Sequence, residues 1–299
     1  VTVSQGSWGA EALWLQLREL LPGLSVEVVE RCSSTNTTLL ERARVDVRPE
    51  ADHSDVLVQR SVESKAFGRR AADIQPCLLV AEHQSGGRGR LGRGWSSAPG
   101  ASLTFSLSLP ISRADWSGLS LAVGLALADA LDPLAEGAPP RIGLKWPNDL
   151  WLMDGPARGR KLGGVLIETV SAGRVRLAVI GIGLNVLPIG NVEASTGFAC
   201  LQELDAAATA QQTLHRIALP LVQALRRFEA EGFDGFRAGY ARRDLLAGHP
   251  VRTTQPGVED GIARGVDAHG ALQLQTGAGV VAIHSGEVSV RLAPDADAA

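Results

Sequence analysis

Glu82-His83-Gln84-Ser85-Gly86-Gly87-Arg88-Gly89-Arg90-Leu91-Gly92-Arg93-Gly94-Trp95 sets five glycines among three arginines and closes on a tryptophan. It follows Cys77-Leu78-Leu79-Val80-Ala81, an apolar run that reads as a buried strand. It precedes Ser102-Leu103-Thr104-Phe105-Ser106-Leu107-Ser108-Leu109, whose alternation reads as a second strand. Glycines between two strands let the backbone approach a ligand and adopt positive φ. Guanidinium forks suit carboxylate and phosphate oxygens, and the acid nearest the arginines within the run is Glu82 at its start. The stretch therefore predicts a flexible anion clamp that orders around a small charged ligand. A solvated hairpin loop and a disordered nucleic-acid contact share this composition; strands at both ends weigh against the second.

At 299 residues the chain can bury a sizeable core, and a main domain with a smaller one is the natural division. Its 45% apolar and 20% charged residues are ordinary for a soluble globular enzyme. A net charge of −3 gives no global attraction for nucleic acid or an anionic membrane, so the arginine cluster is local. Cys32, Cys77 and Cys200 are odd in number and widely separated, which fits a reducing cytosol better than disulfides or a zinc site. No apolar run reaches transmembrane length, and the N-terminus lacks the order of a signal peptide. The expectation is a soluble cytoplasmic protein.

Working outward, Gly9 to Leu21 carries a helical stripe ended by Pro22-Gly23, and Ser25 to Glu30 alternates as a strand. Ser33-Ser34-Thr35-Asn36 then either caps the helix running from Thr37 to about Arg44 or holds a polar ligand head. Residues 45–76 lack a clean period and read as a peripheral insertion, with His53 on its surface. Ser112 to Leu131 reads as one long apolar helix and Arg141 to Lys145 as a strand. Lys145-Trp146-Pro147-Asn148-Asp149-Leu150-Trp151 places a cation, an amide and a carboxylate beside a proline turn. Asp149 is a candidate for Mg²⁺ on a phosphate, and an ordinary Pro-Asn-Asp turn fits the same residues.

Val165 to Glu168 reads as a strand, with Gly163 and Gly164 at its mouth permitting close approach and Lys161 beside them as an anion partner. The strand from Arg174 runs into Gly181-Ile182-Gly183-Leu184-Asn185. These glycines resemble a dinucleotide fingerprint, but no helix pattern follows, which excludes that reading. Asn185 can turn its amide to a base or to the backbone. Ala206 to Glu231 is an amphipathic helix with His215 beside its apolar face in a structural place, and Phe233 to Arg243 extends the helical region. From Gly248 on, five short strands predict a small barrel, and the tail after Leu292 reads as frayed.

The order Ser-Thr-Asn, Gln84 with Gly-Arg-Gly-Arg-x-Gly-Arg-x-Trp, Lys-Trp-Pro-Asn-Asp-Leu, Arg-Lys-Leu-Gly-Gly-Val-Leu-Ile-Glu, Gly-Ile-Gly-Leu-Asn-Val and Gly-Glu-Val-Ser-Val-Arg resembles the biotin protein ligases. The resemblance runs from about residue 25 to 292; the long 45–76 segment and the N-terminus depart from it. It implies an α/β (α+β) catalytic domain with a mixed sheet over residues 1–245, a small SH3-like C-terminal β-barrel over 246–292, and a tail at 293–299. It also implies a two-step reaction in which biotin and MgATP give biotinyl-5′-adenylate, and a lysine of the biotin carboxyl carrier protein of acetyl-CoA carboxylase then takes the biotinyl group.

Carried over by motif, Ser34, Thr35, Asn36 and Gln84 would bind the biotin ring and ureido group. Arg88, Gly89, Arg90 and Lys161 would meet its carboxylate and the adenylate phosphate, with Gly163 and Gly164 lining that site. Arg93, Trp95, Lys145, Asn148 and Asn185 would contact ATP, and Asp149 would stand near the Mg²⁺. Arg88, Arg90, Lys145 and Lys161 are then the catalytic candidates. The resemblance leaves a monomer or a ligand-promoted homodimer open. Some members of the family carry an N-terminal helix-turn-helix domain and act as repressors. About 24 residues precede the first strand here, too few for three helices, so ligation without repression is expected, with neither nucleic acid nor membrane as partner. A lipoate or octanoate ligase is the sibling reading, against which the arginine loop and the Lys-Trp-Pro-Asn-Asp-Leu run argue. A nucleic-acid-binding protein would need a basic face studded with aromatics, which the sequence lacks.

Overall fold

Strand formation follows the apolar runs. The computed structural model describes residues 8–45, 65–67, 74–172, 175–189, 197–284 and 289–292. In chain order these form α1 (Ala10–Leu17), β1 (Ser25–Cys32), α2 (Thr35–Val45), β2 (Lys65–Phe67), β3 (Cys77–Gln84), β4 (Gly87–Arg88), β5 (Gly94–Trp95), β6 (Ser102–Pro110) and α3 (Leu119–Leu131). There follow β7 (Ile142–Lys145), β8 (Asp149–Gly155), β9 (Arg158–Ala172), β10 (Val175–Asn185), α4 (Ala210–Glu231) and α5 (Asp234–Ala241). The last strands are β11 (Pro250–Thr253), β12 (Asp260–Val266), β13 (Leu272–Thr276), β14 (Gly279–Ile283) and β15 (Val290–Leu292). The chain separates into two units, one of Val1–Ser112, Val165–Val192 and Cys200–Val222, the other of Arg113–Gly164, Glu193–Ala199 and Gln223–Ala299.

In the first unit the strand order is β2-β1-β3-β6-β10-β9, the last represented by residues 165–172. β3 pairs parallel with β1 and antiparallel with β6, and β10 is antiparallel to β6, so the sheet is mixed as expected. Cys77 to Ala81 are all buried because β3 is central. Leu39, Leu40 and Ala43 of α2 pack over Cys77, Leu79, Leu177, Val179, Val170 and Ala172 on one sheet face. Burial of these side chains, worth about 2 kcal/mol for each large one, fixes where the N-terminus of α2 sits. His215 is structural, as its place beside the apolar stripe suggested: its ring meets the Trp8 carbonyl at 3.0 Å.

In the second unit β7 and β8 form an antiparallel hairpin, and β8 pairs antiparallel with the first half of β9. β11 to β15 form a five-stranded antiparallel sheet in the order β14-β13-β12-β11-β15. The pairings establish a sheet; closure into the expected barrel is not among them. The helix expected from Ser112 starts at Leu119. Gly118 stands at φ 77°, outside the right-handed helix, and its bare α-carbon admits Phe233, whose Cγ would lie 2.5 Å from an added Cβ. Before it, the Ser117 amide donates to Asp115 Oδ1 in a local turn.

The insertion expected at 45–76 lies mostly outside the described residues, His53 with it. Its described part includes β2, an edge strand antiparallel to Val26–Val28. The strand expected at Val165–Glu168 extends over all of β9. Among the described residues no helix is long and apolar enough to cross a membrane.

Candidate functional site

The turn between β1 and α2 places Ser34, Thr35 and Asn36, all buried, at the start of a helix. Ser34 is its N-cap: its Oγ accepts weakly from the Thr37 amide at 3.4 Å. The hydroxyl hydrogen of Ser34 has no acceptor among the described residues. The cap reading of this tetrapeptide holds, and the Ser34 hydroxyl hydrogen stays available to a polar ligand. Gln84, at the end of β3, turns Oε1 to the Thr35 amide (2.7 Å) and hydroxyl (3.1 Å), which leaves its Nε2 without a partner among the described residues.

From Thr35 a hydrogen-bond chain crosses the sheet face. Thr35 Oγ1 lies 2.6 Å from Ser106 Oγ, and Ser106 Oγ donates to Asn36 Oδ1 at 2.6 Å. Asn36 Nδ2 donates to the Leu166 carbonyl (3.2 Å) and to Glu168 Oε2 (2.9 Å). Those two acceptors decide the amide orientation, because a flipped Asn36 would set its oxygen against a carbonyl and a carboxylate. Thr35 and Ser106 carry one hydroxyl hydrogen each for three contacts: that of Ser106 goes to Asn36, and that of Thr35 is shared between Gln84 Oε1 and Ser106 Oγ.

β10 makes room for this chain. A Cβ on Gly181 would fall 2.3 Å from Asn36 Oδ1, and one on Gly183 would fall 2.6 Å from the Trp95 indole. Gly181, Gly183 and Asn185 alternate along one face, opposite Ser106, Thr104 and Ser102 of β6. The Gly-Ile-Gly run is thus a strand with two close side-chain approaches, and Asn185 continues the same face, buried.

The Gly/Arg stretch is a short two-stranded ribbon, β4 against β5, around a 3-10 turn at Arg90–Gly92. Its start is laced to the β1–α2 turn, Ser85 N to Cys32 O (3.0 Å) and Gly86 N to Ser33 O (2.9 Å). A Cβ on Gly87 would meet the Trp95 carbonyl at 2.4 Å, so the strands approach only because position 87 is glycine. Arg88 Nη2 donates to Glu168 Oε2 at 2.7 Å, which ties the ribbon to the Asn36 chain. Trp95 packs on Gly183 with its Nε1 buried and unbonded among the described residues. Burial pushes the nearby Cys32 thiol up from its usual value.

In the second unit Lys161 and Asp149 meet across β8 and β9, Lys161 Nζ to Asp149 Oδ1 at 2.7 Å. Gly164, opposite Asp149, leaves the space before this pair open, since a Cβ there would lie 3.2 Å from Asp149 Oδ1 and 3.6 Å from Lys161 Nζ. Lys145 Nζ donates to the Val290 carbonyl at 2.8 Å and stands 5.3 Å over the Trp151 ring. Trp146 is buried and bonds the Gly270 carbonyl at 3.0 Å through Nε1. The Lys-Trp-Pro-Asn-Asp run is therefore held at one end by the C-terminal strands.

Asp149, the metal candidate, carries an ammonium, and no three His, Cys, Asp or Glu side chains gather into a metal site among the described residues. Sequence reasoning missed Ser106 and Glu168. Ser106 belongs to an alternating row that reads only as a strand, and Glu168 closes a quoted motif without any local sign of its partners.

The family model described as the Biotin/lipoate A/B protein ligase family matches residues 69–185, and that of the Biotin protein ligase C terminal domain matches residues 248–291. The biotin–[acetyl-CoA-carboxylase] ligase of Mycobacterium tuberculosis is 34% identical over 288 residues, 94% of this chain and 91% of that protein. The enzyme of the same name from Paracoccus denitrificans is 32% identical over 70% of this chain and 88% of its own length. A solved structure of the biotin protein ligase from Aquifex aeolicus, in complex with biotin and ATP, superposes with a TM-score of 0.67 at 25% identity, covering 90% of this chain and 99% of that one.

Proposed function

The chain belongs to the biotin protein ligase family, and we propose that it activates biotin with ATP and passes the biotinyl group to a lysine of a biotin carboxyl carrier protein. The observation that carries this is the buried chain Gln84–Thr35–Ser106–Asn36 ending beside an arginine ribbon. It joins a neutral donor–acceptor cradle suited to a ureido ring with cations suited to the acid at the other end of the same ligand. The unspent donors are Gln84 Nε2 and the Ser34 hydroxyl, which suit a ureido carbonyl.

In the first step a biotin carboxylate oxygen attacks the α-phosphorus of ATP, the bond to the β,γ-pyrophosphate breaks, and pyrophosphate leaves. In the second a neutral lysine amine attacks the acyl carbon, AMP leaves, an amide forms and a proton passes to solvent. Two anions meet in the first step, so preorganised cations supply the catalysis and no protein nucleophile is needed. Arg88, Gly89 and Arg90 cover the carboxylate and α-phosphate, and Arg93 meets the outer phosphates. By the motifs they stand in, Lys161 and Lys145 take part as cations, which requires Lys161 to share or leave Asp149, and Gly163 and Gly164 keep that strand mouth open. Trp95, Asn148 and Asn185 serve the nucleotide, whose magnesium enters with it as MgATP. A ribbon that closes over the adenylate also protects this anhydride from water.

ATP–pyrophosphate exchange tests the reading. Biotin should support exchange where lipoate or no acid does not. Arg90→Ala should slow it by about 100-fold, the effect of losing one such contact, or release free adenylate. Exchange with lipoate alone, or with no acid, overturns the substrate assignment. Repression is not part of the proposed activity of these 299 residues, whose net charge of −3 opposes operator binding; nanomolar operator affinity at physiological salt would overturn that.

A further inference from the structure

Glu168 has no role in the reaction as derived, yet two donors converge on one of its oxygens. Oε2 accepts Asn36 Nδ2 at 2.9 Å and Arg88 Nη2 at 2.7 Å. One donor comes from the buried cradle, where the Asn36 amide spends both its hydrogens on Leu166 O and Glu168. The other comes from the ribbon, where the Arg88 side chain is 43% exposed against 26% for Glu168. The carboxylate itself rides on β9, within the sheet that α2 packs against. An ion pair this open to solvent is weak. A ligand carboxylate or phosphate offers Arg88 the same chemistry and displaces it readily.

We propose that Glu168 is a positioning residue for the ligation reaction: it seats Arg88 beside the cradle while the site is empty, and yields the guanidinium to the ligand anion while Asn36 keeps Glu168 in place. This rests on the ligase reading for the identity of the anion, but not for the seating itself. Without the carboxylate, the ribbon loses its tie to β9 and Asn36 loses its charged acceptor. Cradle and clamp are then no longer set by one group. The reaction, once the ligand is bound, uses Arg88 on the ligand and not on Glu168, so binding should suffer more than turnover.

Limited trypsin digestion provides a readout independent of activity, because Arg88, Arg90 and Arg93 are themselves cleavage points. New ends after these residues are followed by mass spectrometry in the ligand-free full chain. Glu168→Gln should be cut there at least threefold faster than wild type, and biotin with ATP should return both to one slow rate. In exchange kinetics the variant should raise KM for biotin about fivefold with kcat within twofold. Combined with Arg88→Gln it should add less than the product of the single effects. Should Glu168→Gln not fold, Arg88→Gln removes the other half of the pair and should speed cutting after Arg90 and Arg93 alike. Unchanged cutting in the folded variant, or KM effects that multiply in the double variant, overturns the proposal. Absence of biotin-dependent exchange in wild type would instead sink the ligase reading, and the digestion would still decide the seat.

Discussion

At the scale of single residues the site depends on atoms that are missing. Gly181 carries no side chain because Asn36 Oδ1 already occupies the place of its Cβ, 2.3 Å away. The far end of a flexible side chain would step aside at little cost, but this amide is held by Ser106, Leu166 and Glu168. Gly181→Ala must therefore break that set or shift β10, an overpacking cost of about 1–3 kcal/mol. The expected outcome is a lowered Tm together with a biotin KM raised by tenfold or more, measured by thermal denaturation and pyrophosphate exchange. A variant with unchanged Tm and KM would mean that Asn36 is not pinned. None of this is legible from the glycines themselves, since Gly-Ile-Gly at a strand end also opens nucleotide-binding turns. What excluded that use was the missing helix pattern after Asn185; what the glycines admit is decided by α2 and the ribbon, distant in sequence.

At the scale of elements, the second unit carries a charged rivet that no periodicity announces. Arg243, just past α5, has a side chain with no exposure. Its guanidinium bonds Asp129 Oδ1 (2.8 Å), Asp132 Oδ2 (3.0 Å), the Ile142 carbonyl (3.0 Å) and the Asp132 carbonyl, joining the end of α3, β7 and the end of α5. Arg243→Ala would take this donor from two carboxylates and two carbonyls, at a cost of about 3 kcal/mol, the low end for a broken buried pair because the Arg141 and Ile142 amides still bond Asp132 Oδ2. Arg243→Lys should recover only part of this, since one ammonium cannot reach every acceptor of the planar fork. Urea denaturation of both variants checks the order wild type, Lys, Ala; equal stability of Lys and wild type would make the fork irrelevant. β3 was readable from its continuous apolar run and α2 from the capping residues before it. The hydroxyl row Ser102, Thr104, Ser106 and Ser108 was readable as a strand but not as buried, because alternation does not say what covers the second face. The start of α3 was misplaced for a similar reason: residues 112–118 are compatible with a helix until Phe233 claims the space at Gly118.

At the scale of the whole molecule, the arginine cluster is local charge on a chain of net charge −3, so composition leaves the ligand to the motifs. Global stability has its own charge term, in the second unit. Asp244 accepts the Leu246 amide through Oδ1 at 2.9 Å, while Oδ2 is buried with no partner among the described residues. Burial pushes this carboxyl up to about 6 from 3.8, and the same surroundings hold the Tyr240 hydroxyl well above its usual value. The sign follows from which state keeps the proton. Between pH 3.8 and about 6 the unfolded chain has released it and the folded chain has not, so raising pH favours unfolding across that window. Above it the penalty is complete, about 3 kcal/mol from the size of the shift. Asp244→Asn keeps an acceptor for Leu246 and cannot ionise, so it should raise Tm by several degrees at pH 7.5 and leave it unchanged near pH 3.5. Thermal denaturation of both proteins across that range decides the matter, because a Tm difference that stays constant with pH would assign the effect to packing rather than to the buried charge.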